Sequence, residues 1–244
     1  MSSSPQDKAL QGCSLEGKVI VVTGGFGVLG NALGQHLRAH GAHVALLDRA
    51  ETAHDPIDDD FRSLSLGGVD LTSSESASTA LQQTAEHFGR IDGLVNVAGG
   101  FAWETLETGS LETWDRLYQM NLRTAVVASQ AVLPHLFASE GGQIVNVSAQ
   151  ASLKAGLGMG AYAASKAGVV RLTEALAEEL KDRRITVNAV LPSIIDTPTN
   201  RTDMPDAEFD RWVSPRQLAS VIAFLLSDDA QAVTGACLPV SGRV

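Results

Sequence analysis

The chain has 244 residues, of which 44% are hydrophobic, and a formal net charge of −10. That length suits one large α/β sheet domain, and the acidic balance argues against nucleic acid or an anionic membrane surface as a partner. The only two cysteines, Cys13 and Cys237, lie far apart and suggest no disulfide framework, and no apolar run approaches the ~18 residues that a membrane span needs.

Residues 1–8 have no apolar h-region, so no signal peptide is expected, and the default is a soluble, cytoplasmic protein. Residues 1–14 read as a flexible arm ahead of a single domain over 15–244. The β-branched run 18–23 predicts a strand, followed by a glycine loop and a helical pattern to about residue 40. A second strand is expected at 43–47, an acidic surface loop with Asp55, Asp58, Asp59 and Asp60 at 50–63, and a weak third strand at 64–70. A helix follows at 73–88, with N-cap candidates from Ser73 onward. Then come a strand at 91–97, a helix at 111–137, a strand at 143–147 and a helix from 160 to about 180. A strand at 185–191, a helix at 215–226 and a strand at 236–240 complete the pattern. Strands alternating with helices predict a parallel sheet covered on both faces.

The glycine loop Thr23-Gly24-Gly25-Phe26-Gly27-Val28-Leu29-Gly30 follows a strand and opens a helix. Gly25, Gly27 and Gly30 fit G-x-G-x-x-G, in which backbone N–H groups approach a pyrophosphate at the helix N-terminus. Asp48 ends the second strand, where a carboxylate can hold the ribose hydroxyls; the plain alternative is a glycine-rich surface turn. Asp48 favours NAD(H) because it repels a 2′-phosphate, and Arg49 beside it softens that preference, leaving NADP(H) as a second cofactor. Small residues in Asn96-Val97-Ala98-Gly99 let the chain pass close to a ligand, or simply turn it after a strand. Asn121 sits in an otherwise apolar helix, where it either faces solvent or caps a neighbour, or holds a backbone carbonyl and a water. Tyr162 and Lys166 share one helix face a turn apart. An ammonium beside a phenol lowers the phenol pKa and allows proton exchange with a substrate oxygen, although chance also produces such pairs.

Taken together, these motifs resemble the short-chain dehydrogenases/reductases over about residues 15–244. The resemblance rests on the T-G loop at Thr23, N-x-A-G at Asn96, the helical Asn121, Y-x-x-x-K at Tyr162 and the Leu191-Pro192 segment. It implies an α/β Rossmann fold, a doubly wound, seven-stranded parallel sheet with helices on both faces. It also implies Tyr162 as general acid/base, with Lys166 binding the nicotinamide ribose and depressing the tyrosine pKa. Asn121 would hold a water in a proton relay, Asp70 and Leu71 would flank the adenine, and Ile195 and Thr197 would contact the nicotinamide end. The cofactor set then comprises Gly24, Gly25, Phe26, Gly27, Val28, Leu29, Asp48, Arg49, Asp70, Leu71, Asn96, Ala98, Gly99, Tyr162, Lys166, Ile195 and Thr197.

The chain departs from the family pattern at three places. Val28 stands where the usual loop has glycine, Leu191-Pro192-Ser193 replaces the usual Pro-Gly, and Ala149 occupies the place of the catalytic serine. The glycine loop, the stretch around Ala149 and residues 196–212 look like those of dihydropteridine reductases. Strand alternation turns Ser148 away from the face that Ala149 presents; a bend at the strand end, or Ser152 swinging in, are the alternatives. Phe101, Trp103, Met159, Met204 and Trp212 either wall a substrate cleft or pack in the core, and the tryptophans look too scattered for an aromatic box. His36, His40 and His43 read as a solvated helix face, and no metal site is expected.

The expected function is an NAD(P)-dependent oxidoreductase that moves a hydride between nicotinamide and a carbonyl or quinonoid small molecule. The alternative is a catalytically weak nucleotide-binding sensor or scaffold on the same fold. The family resemblance further implies a homodimer or homotetramer, paired through helices 111–137 and 160–182 with Val126, Val127, Val169 and Val170 as a seam, although the same valines can pack on the sheet.

Overall fold

The computed structural model describes residues 13–56 and 60–244. Except for Cys13 and Ser14, the expected N-terminal arm lies outside the described residues, as do Asp58 and Asp59 of the acidic loop. In chain order the elements are β1 (Val19–Thr23), α1 (Val28–Ala39), β2 (His43–Leu47), β3 (Ser63–Leu66), α2 (Ser74–Phe88), β4 (Gly93–Asn96), α3 (Leu111–Leu117) and α4 (Thr124–Ala138). They continue with β5 (Gly142–Val147), α5 (Gly160–Leu180), β6 (Ile185–Pro192), α6 (Pro198–Asp203), α7 (Pro215–Leu226) and β7 (Cys237–Val240). The strands form one seven-stranded parallel sheet in the order β3-β2-β1-β4-β5-β6-β7. The order reverses between β1 and β4, and such a switch point opens a crevice beyond the carboxyl ends of the strands.

Alternation along β1 divides the core. Ile20 and Val22 face Leu33 and Leu37 of α1 and Ile222 and Leu226 of α7, all within one buried cluster. Val21 faces the other way, with Leu94 and Ile144, toward Leu81, Val132, Leu136 and Leu180. Every residue of β1 is therefore buried, which is why the strand reads as a continuous apolar run rather than an alternating one.

Three elements differ from the sequence expectation. The third strand stops at Leu66 instead of reaching residue 70. Gly68 has φ +71°, and a Cβ on Gly67 would lie 2.1 Å from the Glu51 carbonyl oxygen, so the chain turns there against residues 50–51. The long helix 111–137 is interrupted by a π-helical turn over Tyr118–Arg123, a local widening of the helix often found at functional sites. Of the four valines expected at a subunit seam, Val127, Val169 and Val170 are buried inside this chain, and only Val126 is exposed. Val127 and Val170 pack in the clusters that cover the sheet.

Candidate active site

The glycine loop is fixed mainly by backbone. A Cβ on Gly25 would lie 2.6 Å from the Leu46 Cβ and 2.9 Å from its Cα, and one on Gly30 would lie 2.2 Å from the Gly24 carbonyl oxygen. Gly24 has φ +64° and sits against Ala98, with a virtual Cβ 2.9 Å from its Cα and N. Gly27 differs: its nearest neighbour would be the Gly24 oxygen at 3.4 Å, and both Gly27 and Val28 are exposed. Three of these glycines thus serve the protein's own packing, while Gly27 keeps an approach clear from outside. The N-termini of α2, α3, α6 and α7 are capped by the side chains of Ser73, Ser110, Thr197 and Ser214. Those of α1, α4 and α5 have no side-chain cap; α1 is the one that opens from the glycine loop, which leaves its first-turn N–H groups for an anion there. This cradle fits a dinucleotide pyrophosphate.

Asp48 stands at the end of β2 beside this loop. Its Oδ2 accepts from the Phe26 N–H at 3.0 Å and its Oδ1 from the Ala50 N–H at 3.0 Å, while Arg49 is exposed. Thr23 ties the loop to the second turn: its Oγ1 accepts from the N–H groups of Val97 at 3.1 Å and Ala98 at 3.2 Å. Asn96 commits its amide within the protein, donating to Ser129 Oγ at 3.0 Å and Asn146 Oδ1 at 2.8 Å. Further out, Asp70 is turned onto Thr72, whose N–H and hydroxyl hold its carboxyl below the usual range. The Leu71 side chain is buried. Ile195 pairs with Val213, and Thr197 caps α6 by accepting from the Asn200 N–H at 3.2 Å.

The π-helical turn carries Asn121 inward, where it is 1% exposed. Its Oδ1 accepts from the Gly100 N–H at 2.8 Å, and its Nδ2 donates to the Gly100 carbonyl at 3.1 Å and to Ser165 Oγ at 2.9 Å. Of the alternatives open to it, this is the buried clasp on a backbone carbonyl. A Cβ on Gly99 would lie 2.6 Å from Asn121 Oδ1 and 3.2 Å from Lys166 Nζ. The turn after β4, the π-helical turn and α5 therefore converge on one point.

Lys166 is buried, and its Nζ donates to the Val147 carbonyl at 2.9 Å. The Tyr162 ring packs edge-on against Phe101, with centroids 5.0 Å apart and planes at 82°. Burial pushes the Tyr162 phenol up to about 12 and the Lys166 ammonium down to about 8. The expectation that Lys166 depresses the tyrosine pKa is corrected here: desolvation of the phenol dominates, and the ammonium is turned onto a carbonyl.

The hydroxyls near Ala149 are already engaged. Ser148 Oγ donates to the Lys166 carbonyl at 2.8 Å, on the same side of the sheet as Asn146, whose Nδ2 reaches Thr173 of α5. Ala149 keeps extended backbone angles, φ −160° and ψ 156°, so the alternation holds through it. Ser152 Oγ donates to the Ala149 carbonyl at 2.6 Å. Neither a bend nor a swinging Ser152 returns a serine to the place of Ala149. Among the described residues, the Tyr162 hydroxyl has no hydrogen-bond partner.

Residues 18–208 match the short chain dehydrogenase family model. The chain belongs to the short-chain dehydrogenase family. It is 33% identical over 241 residues to the 3-oxoacyl-[acyl-carrier-protein] reductase of Thermotoga maritima, covering 93% of this chain and 98% of that one. It is 34% identical over 243 residues to the meso-2,3-butanediol dehydrogenase of Serratia marcescens, covering 93% and 94%. A crystal structure of the 3-ketoacyl-(acyl-carrier-protein) reductase from Brucella melitensis, complexed with NADH, superposes with a TM-score of 0.84 at 28% identity, covering 94% of this chain and 99% of that one. As a short-chain dehydrogenase the protein is an NAD(P)-dependent oxidoreductase on a Rossmann-type sheet. No helix among the described residues is long and apolar enough to cross a membrane.

Of the two readings left open for Trp212, packing holds: it is buried, 6% exposed, and lies on Phe209 with ring centroids 4.9 Å apart. Trp103 and Trp114 are not scattered, because both lie against the start of α5. A Cβ on Gly158 would lie 2.2 Å from Trp103, and one on Gly160 would lie 3.4 Å from Trp114. Sequence reasoning missed this cluster because glycines paired with distant rings carry no local periodicity. It also missed Ser165 as a partner of Asn121, since a serine in an Ala-rich helix looks unremarkable. His36 and His40 lie with ring centroids 4.3 Å apart and planes tilted by 41°, and both are half-buried, not a solvated face.

Proposed function

We propose that this short-chain dehydrogenase is an NADH-preferring reductase of activated carbonyl or quinonoid small molecules, with Tyr162 as its proton donor. When bound, the cofactor supplies the hydride. Tyr162 gives its proton to the substrate oxygen, and Lys166 and the Asn121 clasp hold the geometry around Gly99. Asp48 accepts from the ribose hydroxyls with the lone pairs that Phe26 and Ala50 leave free. Its charge favours NADH over NADPH, and Arg49 moderates the preference. A cytoplasmic setting accords with the free thiols of Cys13 and Cys237. Assembly as a homodimer or homotetramer, as the family resemblance implies, is read by light scattering at micromolar concentration, where a monomer mass refutes it.

The observation that carries this reading is the commitment of Ser148 and Ser152 to backbone carbonyls. The missing serine would add one hydrogen bond to the developing oxyanion, worth about 10²–10³ in rate. Without it, the site suits a substrate that accepts hydride readily. The test follows NADH absorbance with quinones and with simple ketones: quinones are turned over faster, and Ala149→Ser raises turnover of simple ketones at least about tenfold. Equal turnover of both classes by the wild type, with no gain in Ala149→Ser, refutes it. The missing serine also favours a second reading, a catalytically weak nucleotide sensor, which requires NADH binding without turnover of either class. Features shared with dihydropteridine reductases support the quinonoid class through the glycine loop, the Ala149 stretch and residues 196–212.

A further inference from the structure

Three aromatic rings from residues 101–114 reach the start of α5, and each makes a contact there while staying partly exposed. Phe101 rests on the Tyr162 ring and is 53% exposed. Trp103 lies over Gly158, where φ is +71° and a side chain would occupy the place of the indole; the tryptophan is 59% exposed. Trp114 lies over Gly160 and is 37% exposed. The Glu104 N–H donates to the Gly158 carbonyl at 2.8 Å, binding the 101–110 loop to the 153–159 segment. Leu157 on that segment is 81% exposed.

Rings already fixed on one face form a stacking surface that needs little further ordering when a ligand arrives. Apolar and aromatic walls with few polar groups are the usual lining of small-molecule sites. The 101–110 loop carries Glu104 and Glu107 and no Lys or Arg, so its own charge disfavours an anionic substrate, and Lys154 on the 153–159 segment is the one cation of the two stretches.

We infer that Phe101 and Trp103 form the specificity wall of this site and select a neutral, planar aromatic carbonyl compound over a small aliphatic one of like functional group. The inference rests on the reading of Tyr162 as proton donor. In the reaction the carbonyl carbon takes a hydride from the reduced cofactor and its oxygen takes the Tyr162 proton. The C=O bond thus becomes CH–OH, and the cofactor is oxidised by two electrons. Offset or edge-to-face contact with the bare ring faces places the aromatic body beside Tyr162.

Two neutral 1,2-diketones provide the test: acenaphthenequinone, planar and aromatic, and 2,3-butanedione, which has no ring. The readout is the ratio of their kcat/KM values with NADH, in which any common effect of a shifted Tyr162 cancels. Phe101→Ala and Trp103→Ala lower this ratio at least tenfold, mainly through the KM of acenaphthenequinone, and Phe101→Leu lowers it less. A ratio that is unchanged, or that rises, overturns the wall. Failure of the proton-donor reading looks different: Tyr162→Phe then turns over both diketones as the wild type does. If the wild type reduces neither, binding of 1-acenaphthenol to the NADH-loaded protein decides, measured by calorimetry. Affinity at least tenfold weaker in Phe101→Ala and Trp103→Ala supports the wall, and equal or absent binding overturns it. Trp103→Phe and Phe101→Leu replace any alanine variant that does not fold.

Discussion

Beyond the carboxyl ends of β1 and β2, the protein is largely backbone against backbone. Gly25 lies on Leu46, Gly30 on the Gly24 carbonyl and Gly24 on Ala98, each closer than a Cβ permits. Around the start of α5 aromatic side chains make the contacts, Phe101 on the Tyr162 ring and the indoles of Trp103 and Trp114 on glycine backbone. Most of the first region is local in the chain, one strand, one turn, one helix and the aspartate that follows the next strand, with Val97 and Ala98 its contribution from further away. The second draws on residues 99–121, 147–166 and the π-helical turn between α3 and α4. A pyrophosphate is the same in every dinucleotide, so a backbone cradle suffices for it. Substrates differ in their side groups, and a surface of side chains from separate loops can be re-cut without disturbing the cradle.

The sharpest way to separate the two regions is Tyr162→Phe. It should lower kcat/KM by about 10²–10⁴, the range expected for loss of a general acid, while NADH titration gives an unchanged Kd. A matching loss of NADH affinity would mean that the two regions are not independent.

Gly30→Ala addresses the cradle. The new methyl meets the Gly24 carbonyl and the Gly25 Cα at 2.2 and 2.8 Å, both backbone atoms that cannot turn aside. It should weaken NADH binding by about 10² and destabilise the fold by about 1–3 kcal/mol, as overpacking does, read by titration and thermal unfolding. Gly27→Ala, whose nearest neighbour stands at 3.4 Å, should leave the melting temperature nearly unchanged. Equal melting losses in both variants would refute the division of roles among the glycines.

The pH profile sharpens the chemistry of the second region. Lys166 carries its charge below about 8 and Tyr162 keeps its proton up to about 12. Carbonyl reduction should therefore hold on the acid side of about 8 and fall about tenfold per pH unit above it, as Lys166 loses its proton. The fall is measured as kcat/KM across that range. A profile flat to pH 10 would show that the Lys166 charge is not needed.

The smallest effect is expected at the border between the regions. Ser148→Ala removes one hydrogen bond to the Lys166 carbonyl, costing about 1 kcal/mol of stability and less than about tenfold in rate, since it removes no contact to the reacting atoms. A loss as large as that of Tyr162→Phe would make Ser148 the catalytic hydroxyl and overturn the alternation argument.

The sequence alone determined the sheet, the glycine loop with Asp48 and the placing of Tyr162 and Lys166 one turn apart on α5. Each depends on neighbours within a few residues or on a period of two or 3.6. Strand alternation also carried through: Ser148 points to α5 because Ala149 stays extended. Only the tertiary structure decided the rest. The π-helical turn at Asn121 leaves no mark in Tyr-Gln-Met-Asn-Leu-Arg, which is compatible with an ordinary helix. Val127 and Val170 were taken by the clusters on the sheet because apolar character does not say which surface will cover it. The direction of the Tyr162 shift followed from burial, which depends on what packs against the ring. Phe101, Trp103 and Trp114 came together only when the fold laid them against the start of α5. Contacts between loops are set by the path of the whole chain, and no local pattern encodes that path.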